Sequence, residues 1–286
     1  MKLRPNPALE RQRRAERQQR GTQSGADYRA YIQVRRGDFA SRGRSHYVLS
    51  ALIDRHHDVL SDLELHTLWH LQRLNPVDVR EGMPLLFEGV EPEFEWSEHV
   101  LGTLAIAAVL GFPHPTHNSE EPRRMTTDFL VTLHGGTRVA VHVKYEKDLD
   151  DRRNKELRAI EESYWLRRRV RFLVITEADL NRTAIGNLGM FASFDKADVN
   201  DITDEWLAWI AIAARSLPMS TVLRAVSSHQ GVPYVALVNR VKYAAMCGLL
   251  LFDLTQGVLD WNTVWPPMRL GCFGALRDDS EVVSYD

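Results

Sequence analysis

Two strand-like segments joined by a glycine pair constrain the fold of this chain more than any other feature. Thr127–Leu133 and Thr137–Lys144 flank Gly135-Gly136. Two Val-, Leu- and Thr-rich runs around such a turn read as a β-hairpin. A helix-patterned stretch, Asp150–Arg169, follows with Leu157, Ile160, Tyr164 and Trp165 as its apolar face, and then an apolar strand, Val170–Ile175. Upstream, a helix starts at Ser61, carries Leu63, Leu68, Trp69 and Leu71, and stops before Asn75-Pro76. Val77–Arg80 and Leu85–Phe87 read as short strands, and Leu101–Leu110 as a helix ended by Gly111 and Pro113. Mixed strands flanked by helices predict an α/β layer domain.

The hairpin also carries the chemistry. Asp128 interrupts Thr126-Thr127-Asp128-Phe129-Leu130-Val131, although Asp is disfavoured in strands, and locally disfavoured residues often mark function. Side chains alternate along a strand, so His142 and Lys144 share one face and Val139, Val141 and Val143 the other. An acid on one strand and an x-x-Lys unit on the next is the arrangement by which restriction-type nucleases hold Mg²⁺ at a phosphodiester. That ion prefers hard oxygen ligands, and a nearby cation favours the developing charge. Taken alone the match is weak, because a strand-edge acid and a solvated lysine would look the same.

Glu64 supplies a third acid, but Ser61-x-x-Glu64 is also a capping box. From that motif alone capping is the favoured role, and the two roles compete. Arg42, Arg44, Ser45 and His46 precede this helix, with Arg35 and Arg36 upstream; phosphate contact is the functional reading and surface charge the bland one. His66 and His70 have the spacing of zinc ligands on a helix, yet the expected Glu after the first His is missing. His56-His57 and His114-x-x-His117 lack a third ligand.

The formal net charge of −2 conceals an asymmetry. Residues 1–48 hold twelve Lys or Arg against four acids, a net of +8, which leaves −10 for the remainder. A basic arm on an acidic body suits a polyanion partner, with a solvated tail as the equal alternative for residues 1–25. Residues 1–26 read as a flexible polar arm, with a helix through Ala8–Gln19 that lacks an apolar stripe. Residues 27–182 form the predicted α/β domain. In 183–286, Thr203 caps a helix, Ser220–His229 is a second, Tyr234–Met246 a third, and Leu249–Leu254 with Val258–Trp261 a hairpin across Thr255-Gln256-Gly257. Three helices and a hairpin read as a winged helix. Its core stretch, 203–262, carries four basic residues and four acids, so it lacks a DNA reader's charge and is expected to dock protein at least as much as DNA. Trp206, Trp209, Trp261 and Trp265 read as core. Cys247 and Cys272 make no disulfide framework, which fits a reducing cytoplasm. No apolar run is long enough to cross a bilayer, and residues 1–25 lack the apolar stretch of a signal peptide.

In order along the chain stand Gly43-Arg44-Ser45-His46, Leu60-Ser61-Asp62-Leu63-Glu64, Thr126-Thr127-Asp128-Phe129-Leu130-Val131 and His142-Val143-Lys144. Together they resemble the TnsA endonuclease subunits of multi-protein bacterial transposases, whose pattern is GRSH, LSDLE, STDFLV and QVK. The resemblance implies a restriction-endonuclease-like mixed-sheet core and a winged-helix-like second domain. It implies Glu64, Asp128 and Lys144 as catalytic residues, with Mg²⁺ as the cofactor and Mn²⁺ as a substitute. By the same resemblance the metal is held by Glu64, Asp128 and residue 142, the last through its ring or only its backbone carbonyl. It tips Glu64 from cap to ligand. The implied function is nicking the 5′ ends of a transposon in the bacterial cytoplasm. The implied partners are transposon-end DNA, a TnsB-type DDE transposase and a TnsC-type AAA+ ATPase, with no membrane. Arg35, Arg36, Arg42, Arg44 and Ser45 are the expected DNA contacts. His142 departs from the family's Gln. Two other classes stay open: a stand-alone restriction-type nuclease, and a catalytically silent DNA-binding assembly module.

Overall fold

The computed structural model of the protein describes residues 6–34, 44–50, 52–94, 100–117, 121–199 and 201–271. The chain divides into two compact units, one of residues 1–68, 77–132 and 137–180, the other of 69–76, 133–136 and 181–286.

The first unit contains, in chain order, α1 (Pro7–Arg17), β1 (His46–Ser50), β2 (Arg55–Val59) and the start of α2 (Asp62–Gln72). Then come β3 (Asp78–Pro84), α3 (Thr103–Leu110), the two-residue strands β4 (Thr116–His117) and β5 (Glu121–Pro122), β6 (Thr126–Thr132) and β7 (Arg138–Val143). The short α4 (Glu146–Leu149), α5 (Arg152–Arg167) and β8 (Arg171–Ile175) complete it. Its centre is a four-stranded sheet in the order β3-β6-β7-β8. β3 and β7 run antiparallel to β6, and β8 runs parallel to β7, so the expected mixed sheet is present. Phe129, Leu130, Ala140 and Val141 are fully buried, which means both sheet faces are covered and explains why β6 and β7 are apolar on each side. Leu130 and Ala140 pack with Ile106 and Ala107 of α3 and with Ile160, Tyr164 and Trp165 of α5. Gly111, at φ +69°, ends α3.

Three expectations need correction here. Of the two short strands expected, Val77–Arg80 falls at the start of the single strand β3, which runs on to Pro84, whereas Leu85–Phe87 forms no strand and the Leu85 amide bonds the Met125 carbonyl at 2.8 Å. The β1–β2 hairpin was not expected, because Arg-His-His-Asp-Val shows no apolar alternation. Its inward residues are instead an ion cluster: Arg55 donates to both Glu81 oxygens at 2.9 and 2.7 Å, and His57 Nδ1 lies 2.8 Å from Glu81. Burial would raise the Glu81 carboxyl, but the charges and hydrogen bonds of His57 and Arg55 hold it down at about 2. Residues 6–26 were expected as a flexible arm, yet they lie folded against the unit. α1 buries only Ala15, so side-chain hydrogen bonds hold it rather than an apolar stripe. Gln12 donates to the Pro122 carbonyl and accepts from the Arg124 amide and the His117 ring. Arg13 pairs with Glu121, and Glu16 with Arg124.

The second unit holds α6 (Arg182–Phe191), α7 (Asp204–Ala213), α8 (Met219–Gln230) and α9 (Tyr234–Met246), then β9 (Leu250–Leu251) and β10 (Arg269–Leu270). Thr203 caps α7 through its hydroxyl, 3.2 Å from the Trp206 amide. Helices α7, α8 and α9 stand where three helices were expected, and Leu207, Ile210, Leu223, Leu237 and Val241 are buried among them. The hairpin is different. β9 pairs with β10 rather than with residues 258–261, because other groups already satisfy that backbone. Asn187 of α6 donates to the carbonyls of Leu254 and Gly257 and accepts from the Leu259 amide, each at 2.8–2.9 Å. The Trp261 and Thr263 carbonyls accept from the Ser220 and Met219 amides. Trp206 and Trp265 are core, Trp261 is half-buried, and Trp209 is 47% exposed, contrary to its reading as core. No helix among the described residues is long and apolar enough to cross a membrane.

Candidate active site

Asp128 sits where the sheet opens on both sides. Toward β3, the pairs Glu81↔Phe129 and Met83↔Thr127 bracket it, while Gly82, directly opposite, drops out of the ladder with φ +54°. Toward β7, pairing ends at Phe129↔Val141, and the Val143 amide turns instead to the Asp128 carboxylate at 2.6 Å. β7 meanwhile continues its parallel pairing, with His142↔Val174 and Val143↔Ile175. Two strands that part at this point leave room for an acid that an intact ladder would disfavour.

The charges around Asp128 explain its titration. Burial raises its carboxyl to about 6; His142, the Val143 amide and Lys144 pull it down, and Glu161 pushes it up. Glu64, on the first turn of α2, is raised further, to about 8, by burial and then by the charge of Asp128. The Leu60 amide at 2.8 Å and the Ser61 hydroxyl at 3.2 Å oppose that shift. The Ser61 hydroxyl accepts in turn from the Glu64 amide at 3.1 Å, which is one half of a capping box; the Glu64 carboxylate returns its bond to the Leu60 amide instead of that of Ser61. Glu64 therefore serves the start of α2 while feeling the charge of Asp128. The GRSH and LSDLE motifs are tied together as well: His46 Nε2 lies 2.7 Å from Asp62, which begins α2. Arg44 is exposed and acts on Asp62, and Ser45 is half-buried. Arg35, Arg36 and Arg42 lie outside the described residues.

His142 brings in a residue that sequence reasoning missed. Its Nδ1 lies 2.9 Å from Glu161 of α5 and 3.8 Å from Asp128. With Glu161 as acceptor, Nδ1 is the donor, and Nε2 is the nitrogen left bare whenever the ring is neutral. Burial would lower the His142 pKa, but the Glu161 hydrogen bond and charge, with Asp128, raise it overall against Lys144. Glu161 also accepts from Thr127 at 2.8 Å, and Thr127 from the Trp165 indole at 2.6 Å. An acid on the apolar stripe of a helix, one turn before Trp165, was the available signal.

A divalent cation is the group this site implies. Among the described residues no three His, Cys, Asp or Glu side chains form a group that could hold one; Glu64 bonds Leu60 and Ser61, and His142 bonds Glu161. Yet two half-buried carboxylates with raised titration points fit Mg²⁺, which binds through one or two carboxylates, completed by water and substrate phosphate. The remaining histidines serve elsewhere: His117 bonds Gln12, His114 lies 3.0 Å from Thr103, and His56 stacks on Tyr47.

Comparison with known proteins gives two likenesses. Residues 94–177 match the family described as TnsA-like endonuclease N terminal, a stretch that contains Asp128, His142, Lys144 and Glu161. The transposition protein TnsA of transposon Tn7 from Escherichia coli is 30% identical over 184 residues, 63% of this chain and 62% of that protein. The matched part is thus under two thirds of the relative's length. Residues 94–177 are thus similar to TnsA-like endonuclease N-terminal domains, and 63% of the chain is similar to the Tn7 protein.

Proposed function

We propose that the protein is a metal-dependent DNA endonuclease that nicks the 5′ ends of a transposon, with Glu64 and Asp128 as carboxylate ligands. The observation that carries this reading is Asp128 at the opening of the sheet, with a second half-buried carboxylate, Glu64, responding to its charge. When bound, Mg²⁺ or Mn²⁺ supplies positive charge for the phosphodiester oxygens and for the attacking water. The chain's own residues do the rest. The Val143 amide fixes Asp128, the α2 capping bonds fix Glu64, and Lys144, whose charge reaches Asp128, is placed to steady negative charge on the substrate. Glu161 orients the His142 ring, so a metal contact from residue 142 would come from Nε2 or from the backbone carbonyl.

A TnsB-type transposase cutting the 3′ ends and a TnsC-type ATPase are the partners this reading carries, by likeness to the Tn7 protein. The second unit, read as winged-helix-like, is their proposed docking module. Asp128→Ala decides the matter in reconstituted transposition. It should abolish 5′ nicking without loss of assembly, and products should shift from simple insertions to cointegrates. Unchanged simple insertion would remove the nuclease assignment. Nicking by the isolated chain would favour the stand-alone enzyme instead.

A further inference from the structure

A basic cleft opens from the candidate site beneath α1. It encloses about 380 Å³, and His142 and Glu161 form part of its wall, so it is continuous with the residues that surround Asp128. Arg11 and Arg14 of α1, with Arg20, Arg123 and Arg124, line it. Among its described lining residues Glu161 is the single carboxylate, and it is already bonded to Thr127 and His142. A second cleft of about 310 Å³ shares Arg20 and Gln33 with the first and adds Arg17 and Arg29. The arginines thus extend as a track away from His142.

Two of these arginines, Arg11 and Arg123, are left over by the fold, whereas Arg20 donates to Gln18 at 2.8 Å. Arg124 is spent on Glu16, on the Leu85 carbonyl and on the Phe87 ring. Arg11 and Arg123, by contrast, form no salt bridge and no side-chain hydrogen bond among the described residues. Of the acids of α1, Glu10 pairs with Arg13 and Glu16 neutralises the cleft's own Arg124, which leaves Arg11 and Arg123 unopposed. What remains is a concave surface of one sign, which concentrates a polyanion. Guanidinium forks match phosphate oxygens well.

We propose that this cleft holds the phosphodiester backbone of the DNA strand beside the cleavage position, with Arg11 and Arg123 as phosphate contacts. The inference rests on the reading of the chain as a DNA endonuclease and extends it with a path for the substrate. It also accounts for the docking of α1, since Gln12 and Arg13 lock the helix down so that its arginines stand over the site. An acidic protein segment would answer the same charge, but the continuity with His142 favours the strand being cut.

The test uses the full chain in an Asp128→Ala background, so that binding is read without cutting. A labelled DNA duplex is titrated at several salt concentrations with the parent, with Arg11→Gln/Arg123→Gln, and with Arg152→Gln. Arg152 is 93% exposed and lines neither cleft. The double variant should bind more weakly, with a log–log salt slope shallower by up to about 1.8, since each lost phosphate contact removes roughly 0.9. Arg152→Gln should keep the parent slope. Equal affinity and slope in the double variant overturn the proposal. Loss of binding to polyglutamate with DNA binding intact overturns it too and makes the cleft a protein-docking site. Nicking by the Asp128-intact chain is scored separately. A changed slope without nicking leaves the cleft and defeats the nuclease reading; nicking with an unchanged slope does the reverse.

Discussion

At residue scale, the His142 imidazole lies between two carboxylates, 2.9 Å from Glu161 and 3.8 Å from Asp128. A ring held by an acid is a common way to orient a histidine near a metal or a reacting group, and loss of such a partner costs on the order of 10- to 100-fold. Glu161→Gln keeps the shape and removes the charge, so it should lower nicking by about that factor. If Glu161 acts through His142, the same change should cost little in a His142→Gln background. Equal losses in both backgrounds would make Glu161 a packing residue alone. Asp128, Lys144 and Glu64 were legible in the sequence because each lies in a short motif with fixed neighbours. Glu161 was not, because it stands 19 residues from His142 and only the packing of α5 on the sheet brings them together.

At the scale of the element, Gly82 decides how β3 passes Asp128. Its φ of +54° lies in the left-handed region, and a Cβ there would have room, the nearest atom being the Ile32 nitrogen at 3.8 Å. Any cost of a side chain at 82 is therefore backbone strain rather than collision. Gly82→Ala should destabilise the protein by about 1–2 kcal/mol, read as a lower denaturation midpoint at unchanged slope. A midpoint equal to that of the parent would mean that β3 can close its ladder opposite Asp128 without penalty. Helices α2, α3, α5, α7, α8 and α9 were readable from caps and period. The expected hairpin at 249–261 failed because a distant side chain, Asn187, saturates the backbone that a second strand would have used. β1 and β2 were unreadable for the opposite reason: their buried face is ionic, and hydrophobic alternation cannot report it.

For the whole molecule, stability should depend on pH through the same carboxylates. Glu64 titrates near 8 when folded against an ordinary value of 4.5, so the folded state binds its proton more tightly than the unfolded one. Stability is then highest below about 4.5 as far as this group is concerned, and falls as pH rises toward 8. Asp128, raised to about 6, acts in the same direction over a lower window. Thermal melts without divalent ion should decline from pH 5 to pH 8, less steeply in Glu64→Gln. Added Mg²⁺ should raise the midpoint more at pH 8 than at pH 5, because it replaces the lost protons. A Mg²⁺ effect that is the same at both pH values would speak against these carboxylates as its ligands. Four short motifs, the β6–β7 hairpin, the charge of the first 48 residues and the period of the helices could be read without coordinates, since each is encoded within a few consecutive residues. The opening of two ladders at Asp128, the docking of α1, the Glu161–His142 contact and the arginine cleft arise only on folding. Each joins residues that are distant in sequence, through hydrogen bonds and charges that no local pattern records.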